Sequence, residues 1–175
     1  MSGGVNHDRY DDAWIASILR GVKSVAVIGA SANPVRPSYF VVKYLIAKGY
    51  EVHPINPGQA GGEILGRPVH ASLADVPGPI DMVDVFRRAD ALPGIVSEIM
   101  ALDELPKVVW LQLGIRDDAV AGALEMAGMT VVQDRCPKIE YARLSGEIGW
   151  TGFNRRTVSA RKPRLAKGFQ HFGLD

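Results

Sequence analysis

The feature that most constrains the fold is the stretch over residues 24–38, where a buried-strand pattern runs directly into a loop of small residues. Residues 25–28 read Val-Ala-Val-Ile with no polar alternation, which is typical of a strand covered on both faces of a parallel sheet. The apolar run ends at Gly29, and helical spacing of apolar residues begins at Tyr39. This order of strand, loop and helix predicts the first half of a βαβ unit, whose loop and helix N terminus can bind a phosphate.

The loop differs from the common dinucleotide fingerprint. The pattern G-x-G-x-x-G would require glycines at Ser31 and Pro34. Arg36 instead supplies a guanidinium group that could pair with an anion. From the loop alone two interpretations stay open, a phosphate site and an ordinary loop with a solvated arginine.

The rest of the chain alternates between helical and strand patterns. Helices are predicted over residues 11–22, 38–48, 92–102, 117–127 and 139–144, and further strands over 51–55, 82–86, 108–113 and 130–132. This alternation predicts a Rossmann-like, doubly wound α/β fold with a mainly parallel five-stranded sheet and helices on both faces. We expect one domain over residues 1–152, including the N-terminal helix, and a basic tail over residues 153–175.

Composition excludes several classes of protein. The formal net charge of +1 over 175 residues argues against a bulk polyanion as partner, and the single cysteine excludes an internal disulfide. The tail carries basic residues without interleaved aromatics, so a solvated tail is favoured over a nucleic-acid-binding one. The first ten residues lack the pattern of a signal peptide, and no apolar stretch is long enough for a membrane helix. We therefore expect a cytoplasmic protein with no membrane partner.

Polar and small residues follow each predicted strand, and the carboxyl ends of parallel strands meet at one edge of the sheet. Those residues are Gly29, Ala30, Ser31 and Arg36; Asn56, Pro57 and Gly58; Phe86, Arg87 and Arg88; Gln112, Leu113 and Gly114; and Asp134, Arg135 and Cys136. Arginines, amides and glycines dominate this set. The sequence therefore predicts an anion site with few groups for acid–base chemistry, and no metal site.

Three residues allow competing interpretations. The predicted strand over residues 51–55 is followed by Asn56, at the position where an NAD site has a carboxylate that binds the ribose. The missing acid argues against NAD, whereas NADP stays open because an arginine could bind it instead. His53 within that strand is interpreted as a packed or hydrogen-bonded residue rather than a base. Cys136, at a predicted helix start, is either a thiol whose pKa the helix dipole lowers or a packing residue; packing is favoured.

Ordered motifs along residues 22–144 resemble the YccU-type CoA-binding protein family, which is similar to the N-terminal domain of the succinyl-CoA synthetase α subunit. The motifs are Val27-Ile28-Gly29-Ala30-Ser31, Arg36-Pro37-Ser38-Tyr39, Ile55-Asn56-Pro57, Asp84-Val85-Phe86-Arg87, Trp110-Leu111-Gln112-Leu113-Gly114 and Asp134-Arg135-Cys136-Pro137. The resemblance implies a Rossmann-like fold that holds coenzyme A (CoA).

The resemblance also implies a role for each matched position. It implies that Gly29, Ala30 and Ser31 cradle the phosphates with Arg36, and that Asn56 and Pro57 border the adenosine. It implies that the pantetheine path is lined by Val85, Phe86 and Arg87. Gln112, Gly114 and Ile115 match the synthetase's Gly-Ile turn, and Cys136 and Pro137 match its Cys-Pro pair. The chain departs from the synthetase at Gln59, where a lysine is usual.

These expectations combine into a CoA-binding or acyl-CoA-binding protein that is not catalytic alone. The residues after 144 are too few for the second domain that carries the synthetase's phosphorylated histidine, and the sequence offers no catalytic triad or paired carboxylates. One alternative is the CoA-binding component of an acyl-CoA ligase or transferase, which needs a partner subunit. Others are an NAD(P)-binding regulator and a nucleic-acid-binding protein acting through the tail. A partner protein and a homo-oligomer both stay open.

Overall fold

The computed structural model describes residues 5–147, which form a parallel sheet flanked by helices on both faces. The helices are α1 (Asp12–Gly21), α2 (Pro37–Ala47), α3 (Leu92–Met100), α4 (Asp118–Met126) and α5 (Pro137–Leu144). The strands are β1 (Ser24–Ile28), β2 (Glu51–Ile55), β3 (Glu63–Ile64), β4 (Arg67–Pro68), β5 (Met82–Val85), β6 (Val108–Leu111) and β7 (Thr130–Val132). The predicted tail over residues 153–175, and the boundary at 152, lie outside the described residues.

The five-stranded sheet has the order β2-β1-β5-β6-β7, and every neighbouring pair is parallel. Val25 of β1 lies in register with Val52 on one side and with Met82 on the other. The two-stranded antiparallel sheet β3–β4 lies next to β2, where Ile55 bridges to His70. The predicted doubly wound α/β fold is therefore confirmed.

Alternate residues of each strand enter two separate hydrophobic cores, one on each face of the sheet. Val25 and Val27 pack with residues of α1, α2 and α5, whereas Ala26 and Ile28 pack with residues of α3 and α4. Every residue of β1 is buried, because helices cover the strand on both faces. The unbroken apolar pattern of this strand thus reflects its central position.

Element boundaries differ from the predicted ones where loops begin. Strand β6 ends at Leu111, so Gln112 and Leu113 belong to the following loop. Helix α5 begins at Pro137, two residues before the predicted start, because proline's fixed φ and missing N–H suit the first helical position. The earlier end of β6 lengthens the loop at the carboxyl edge of the sheet, and the earlier start of α5 shortens the loop that follows β7. Within residues 5–147, no helix has the length and apolarity required to cross a membrane.

Candidate functional site

A cavity of about 890 Å³ lies over the carboxyl ends of β1, β5 and β6. The chain leaves β1 toward β2 on one side and returns to β5 on the other, so this is the topological switch point of the sheet. Its lining residues are Val35, Pro37, Phe40, Val41, Phe86, Arg87, Arg88, Ala89, Asp90, Gln112, Leu113, Gly114, Ile115, Cys136, Lys138 and Ile139. The site lies where ligands bind in open α/β sheets.

The loop after β1 is held in a fixed shape beside this cavity. Gly29 has φ of 84°, and its N–H donates to the carbonyl oxygen of Ile55 at 3.0 Å. A Cβ atom at this position would lie 2.8 Å from the carbonyl oxygen of Phe86. Both the positive φ and the close backbone approach therefore require glycine here.

Two side chains from outside the loop's own motif hold it in place. The Asn56 Nδ2 group donates to the carbonyl oxygen of Ala30 at 2.7 Å, and Asn56 Oδ1 accepts from Gly58 N–H at 3.0 Å. The Ala32 N–H donates to Gln59 Oε1 at 3.1 Å. The turn after β2 thus positions the loop after β1. Sequence reasoning noted only that Gln59 replaces a lysine and missed this bond, which joins residues far apart in the chain.

Arg36 lies at the entrance to helix α2. It is the N-cap residue and is exposed, and Pro37 occupies the first turn. Arg36 therefore adds a cationic side chain at the positive end of the helix, a combination that favours anions. Among the described residues, no carboxylate forms an ion pair with Arg36.

A buried polar pair lies at the cavity wall, where Gln112 is a lining residue and Asp84 lies behind it. Asp84 is fully buried in β5, and Gln112 Nε2 donates to its two carboxylate oxygens at 2.8 and 3.0 Å. Burial raises the pKa of Asp84 to about 7, although the hydrogen bond from Gln112 opposes this rise. Asp84 was not predicted as a site residue, but a lone acid within an apolar strand was the signal that could have identified it.

Cys136 is the N-cap residue of α5 and lies buried in the cavity wall. Burial raises the pKa of its thiol above the ordinary value, outweighing hydrogen bonds from the backbone that lower it. This direction is opposite to the alternative in which the helix dipole lowers the pKa of Cys136. The direction of the shift favours the interpretation as a packing residue.

His53 lies on β2, away from the residues that line the cavity. It is buried, its ring centroid is 5.9 Å from that of His70, and its Nε2 atom lies 3.5 Å from Glu51 Oε1. Burial lowers the pKa of His53 despite the nearby carboxylate. The interpretation of His53 as a packed residue is confirmed.

The predicted site residues fall into three groups. Phe86, Arg87, Gln112, Gly114, Ile115 and Cys136 line the cavity. Gly29, Ala30, Ser31, Arg36, Asn56 and Pro57 lie on the loop after β1 and the adjoining turn. Val85 and Pro137 are buried outside the lining, and Val85 packs in the core on the α3–α4 face. The predicted place of Val85 on a ligand path is corrected, since alternation along β5 directs its side chain into that core.

Together, the sheet order, the tight loop and the cavity at the switch point place this chain among Rossmann-like α/β proteins with a ligand site at the carboxyl edge. The sequence model described as "CoA binding domain" matches residues 23–142. The chain belongs to this CoA-binding domain family. The resemblance predicted from the motifs is confirmed.

Several relatives match most of this domain. The "Uncharacterized protein YneT" of Bacillus subtilis is 39% identical over 130 residues, which cover 74% of this chain and 93% of the relative. The solved structure of cell-free ID.343 from Thermus thermophilus is 42% identical with a TM-score of 0.72, and the match covers 77% of this chain and 98% of that one. The solved structure of a hypothetical protein from Pyrococcus horikoshii is 33% identical with a TM-score of 0.73, and the match covers 82% of this chain and 99% of that one.

A shorter match connects the chain to a larger protein. The alpha subunit of acetate–CoA ligase (ADP-forming) I from Pyrococcus furiosus is 40% identical over 80 residues. That match covers 43% of this chain and 17% of the subunit, so this chain corresponds to a small part of the ligase.

Proposed function

We propose that this chain binds coenzyme A or an acyl-CoA at the carboxyl edge of its sheet, in the cytoplasm, without catalysing a reaction alone. The observation that carries the proposal is the match to the CoA-binding domain over residues 23–142. That range contains every residue that lines the cavity and the whole loop after β1.

The phosphates of CoA have a suitable binding surface beside the cavity. Gly29, Ala32, Asn33, Val35 and Arg36 already donate their N–H groups within the chain, so the loop after β1 offers the N–H groups of Ala30 and Ser31. The N terminus of α2 adds a positive partial charge. Arg36 can form charge-assisted hydrogen bonds with a phosphate. Asn56 and Gln59 act as positioning residues, since their hydrogen bonds fix the loop that would contact the phosphates.

The pantetheine arm would run from this loop into the cavity. Arg87 and Arg88 are exposed at the cavity wall, and Gln112 presents an amide there. Of these groups, the arginines bind anions and the amide exchanges hydrogen bonds, so they serve binding and orientation. Buried Asp84 is already hydrogen-bonded to Gln112, and its role is to orient that amide.

A second candidate is a CoA-binding component that acts with a partner subunit. The similarity to part of the alpha subunit of an ADP-forming acetate–CoA ligase favours it. In that case, the chain would supply the CoA site while the partner supplied the remaining chemistry. Formation of acyl-CoA from a carboxylic acid, ATP and CoA only after addition of a partner would support this candidate, whereas turnover by the chain alone would contradict both proposals.

Ligand choice is tested by thermal denaturation with CoA, acetyl-CoA, NAD, NADP and ATP at matched concentrations. A ligand that binds the folded chain stabilises it by RT ln(1 + [L]/Kd), so CoA should raise the melting temperature. NAD should have no effect, since Asn56 stands where its ribose would require a carboxylate. Stabilisation by NAD with no response to CoA would contradict the proposal.

The phosphate contact is tested with Arg36→Ala. Loss of a charge-assisted hydrogen bond should weaken CoA binding by about 1.5–3 kcal/mol in calorimetric titration. Lys43→Ala is the matched control, because Lys43 is an exposed cation of the same helix that does not line the cavity. Equal affinities of the two variants would show that Arg36 does not contact the ligand.

A further inference from the structure

Exposed apolar side chains concentrate around one part of the molecule. Val35, Phe40, Leu113 and Ile139 are 77, 51, 57 and 42% exposed, and all four line the cavity. They come from four places in the chain: the loop before α2, α2 itself, the loop after β6, and α5. The other large exposed apolar residues of the described chain, Leu65, Met100 and Met126, are not part of that lining. Such clustering marks a binding surface rather than chance exposure.

The apolar character continues from this rim to the cavity floor. Val41 and Cys136 are buried, and Phe86 and Ile115 are partly buried, so carbon and sulfur atoms form the deeper wall. Gln112 is the buried polar side chain among the lining residues. Its amide nitrogen is already held by Asp84, which leaves the amide oxygen as the acceptor for a ligand.

Three of the four charged lining residues, Arg87, Arg88 and Asp90, are exposed at the outside of the cavity, and the fourth, Lys138, is partly buried. Arg88 Nε lies 3.9 Å from Asp90 Oδ1. The site therefore combines cationic groups at its entrance with an apolar interior. This division matches a ligand with anionic phosphates at one end and a hydrocarbon group at the other.

We propose that the cavity holds the acyl group of a CoA thioester whose acyl chain is aliphatic and longer than acetyl. This inference rests on the proposed function and names its ligand class. The pantetheine arm of free CoA ends in a thiol after two amides, so it carries little hydrocarbon to place against the exposed apolar side chains of Val35, Phe40, Leu113 and Ile139. A hydrocarbon chain would cover them and gain the free energy of apolar burial. A dicarboxylic acyl group would place a carboxylate against apolar walls and is disfavoured.

The experiment is a calorimetric titration of the full chain with CoA and with acetyl-, butyryl-, hexanoyl-, octanoyl- and succinyl-CoA. The dissociation constant should fall by up to about fourfold for each methylene group that is fully buried. We expect octanoyl-CoA to bind at least about tenfold more tightly than acetyl-CoA, and succinyl-CoA to bind no more tightly than CoA. Free octanoate serves as a control for adsorption to the surface.

Two exposed residues provide matched variants. Leu113→Gln should weaken the binding of octanoyl-CoA by a larger factor than the binding of CoA, and so remove most of the preference for octanoyl-CoA. Met126→Gln should retain that preference, since Met126 is 86% exposed on α4 and does not line the cavity. Neither change disturbs a buried position, so both variants should fold.

The outcomes separate this inference from the proposed function. Equal affinities for CoA and octanoyl-CoA would overturn the inference and leave CoA binding intact; the apolar rim would then be a surface for a protein partner. An equal loss of preference in Leu113→Gln and Met126→Gln would also overturn it. Failure of every CoA species to bind would refute the proposed function and the inference together.

Discussion

Asp84 should make the stability of this protein fall as pH rises from about 4 to about 7. Burial raises the pKa of this carboxyl group to about 7, from an ordinary value of 3.8. The neutral form is therefore favoured by folding. Between these two pKa values the folded chain keeps the proton and the unfolded chain releases it, so the free energy of unfolding decreases with increasing pH.

The size of the effect follows from the pKa difference. One pKa unit corresponds to about 1.4 kcal/mol, so complete ionisation of Asp84 costs the folded state roughly 4 kcal/mol relative to the neutral form. Replacement by asparagine removes this cost, because the amide is neutral at every pH and its oxygen can still accept from Gln112 Nε2. Asp84→Asn should thus stabilise the protein increasingly as pH rises.

The assay is urea denaturation of the wild type and Asp84→Asn at intervals from about pH 4 to about pH 8. The difference between the two free energies of unfolding is the useful quantity, since other groups titrate in both proteins. Burial lowers the pKa of His53, for example, so wild-type stability also increases as pH rises through the range of that group. Asp103→Asn, at an exposed position, is the control.

We expect the difference to grow by roughly 2–4 kcal/mol in favour of Asp84→Asn across this range. The control should show no such trend. A difference that stays constant with pH would refute the reasoning, because it would mean that Asp84 titrates alike in the folded and unfolded chains.

Three further predictions concern the loop and the thiol. Gly29→Ala should lower the free energy of unfolding by roughly 1–3 kcal/mol or more in urea denaturation, because the added methyl group clashes with the backbone and the positive φ is strained. Gly49→Ala is the control that measures the strain alone, since Gly49 also has a positive φ but has open space around its Cβ position. Asn56→Ala should cost about 1–3 kcal/mol by losing both of its side-chain hydrogen bonds, and an unchanged stability would contradict their role. Cys136 should not form a mixed disulfide with oxidised CoA, since burial disfavours the thiolate; an added CoA mass absent from Cys136→Ser would prove otherwise.

The sheet was predictable because its strands are buried on both faces and therefore appear as continuous apolar runs. The same property hides which face each residue occupies, and the family resemblance that implies a place for Val85 on the pantetheine path does not specify that face either. Its neighbours along β5 alternate between the two cores, and only the packed structure shows that Val85 faces α3 and α4. Local pattern identifies a buried strand but does not orient it.

The site was predictable where residues follow directly from the strand ends. Phe86, Arg87 and Gln112 reach the cavity for this reason. The bond from Ala32 to Gln59 joins two separate loops, and no local pattern encodes it. The pKa of Cys136 likewise depends on the residues packed around it, which a helix-start motif does not specify.

The strand order also determines the sequence of events during synthesis. Strand β1 is made before every other strand of the sheet, and it occupies an interior position between β2 and β5. It can pair with β2 soon after that strand emerges, but its other edge has no partner until Met82–Val85 is available. A nascent chain therefore carries an open, apolar strand edge through a long stretch of translation, which is the state in which chaperones protect proteins from aggregation.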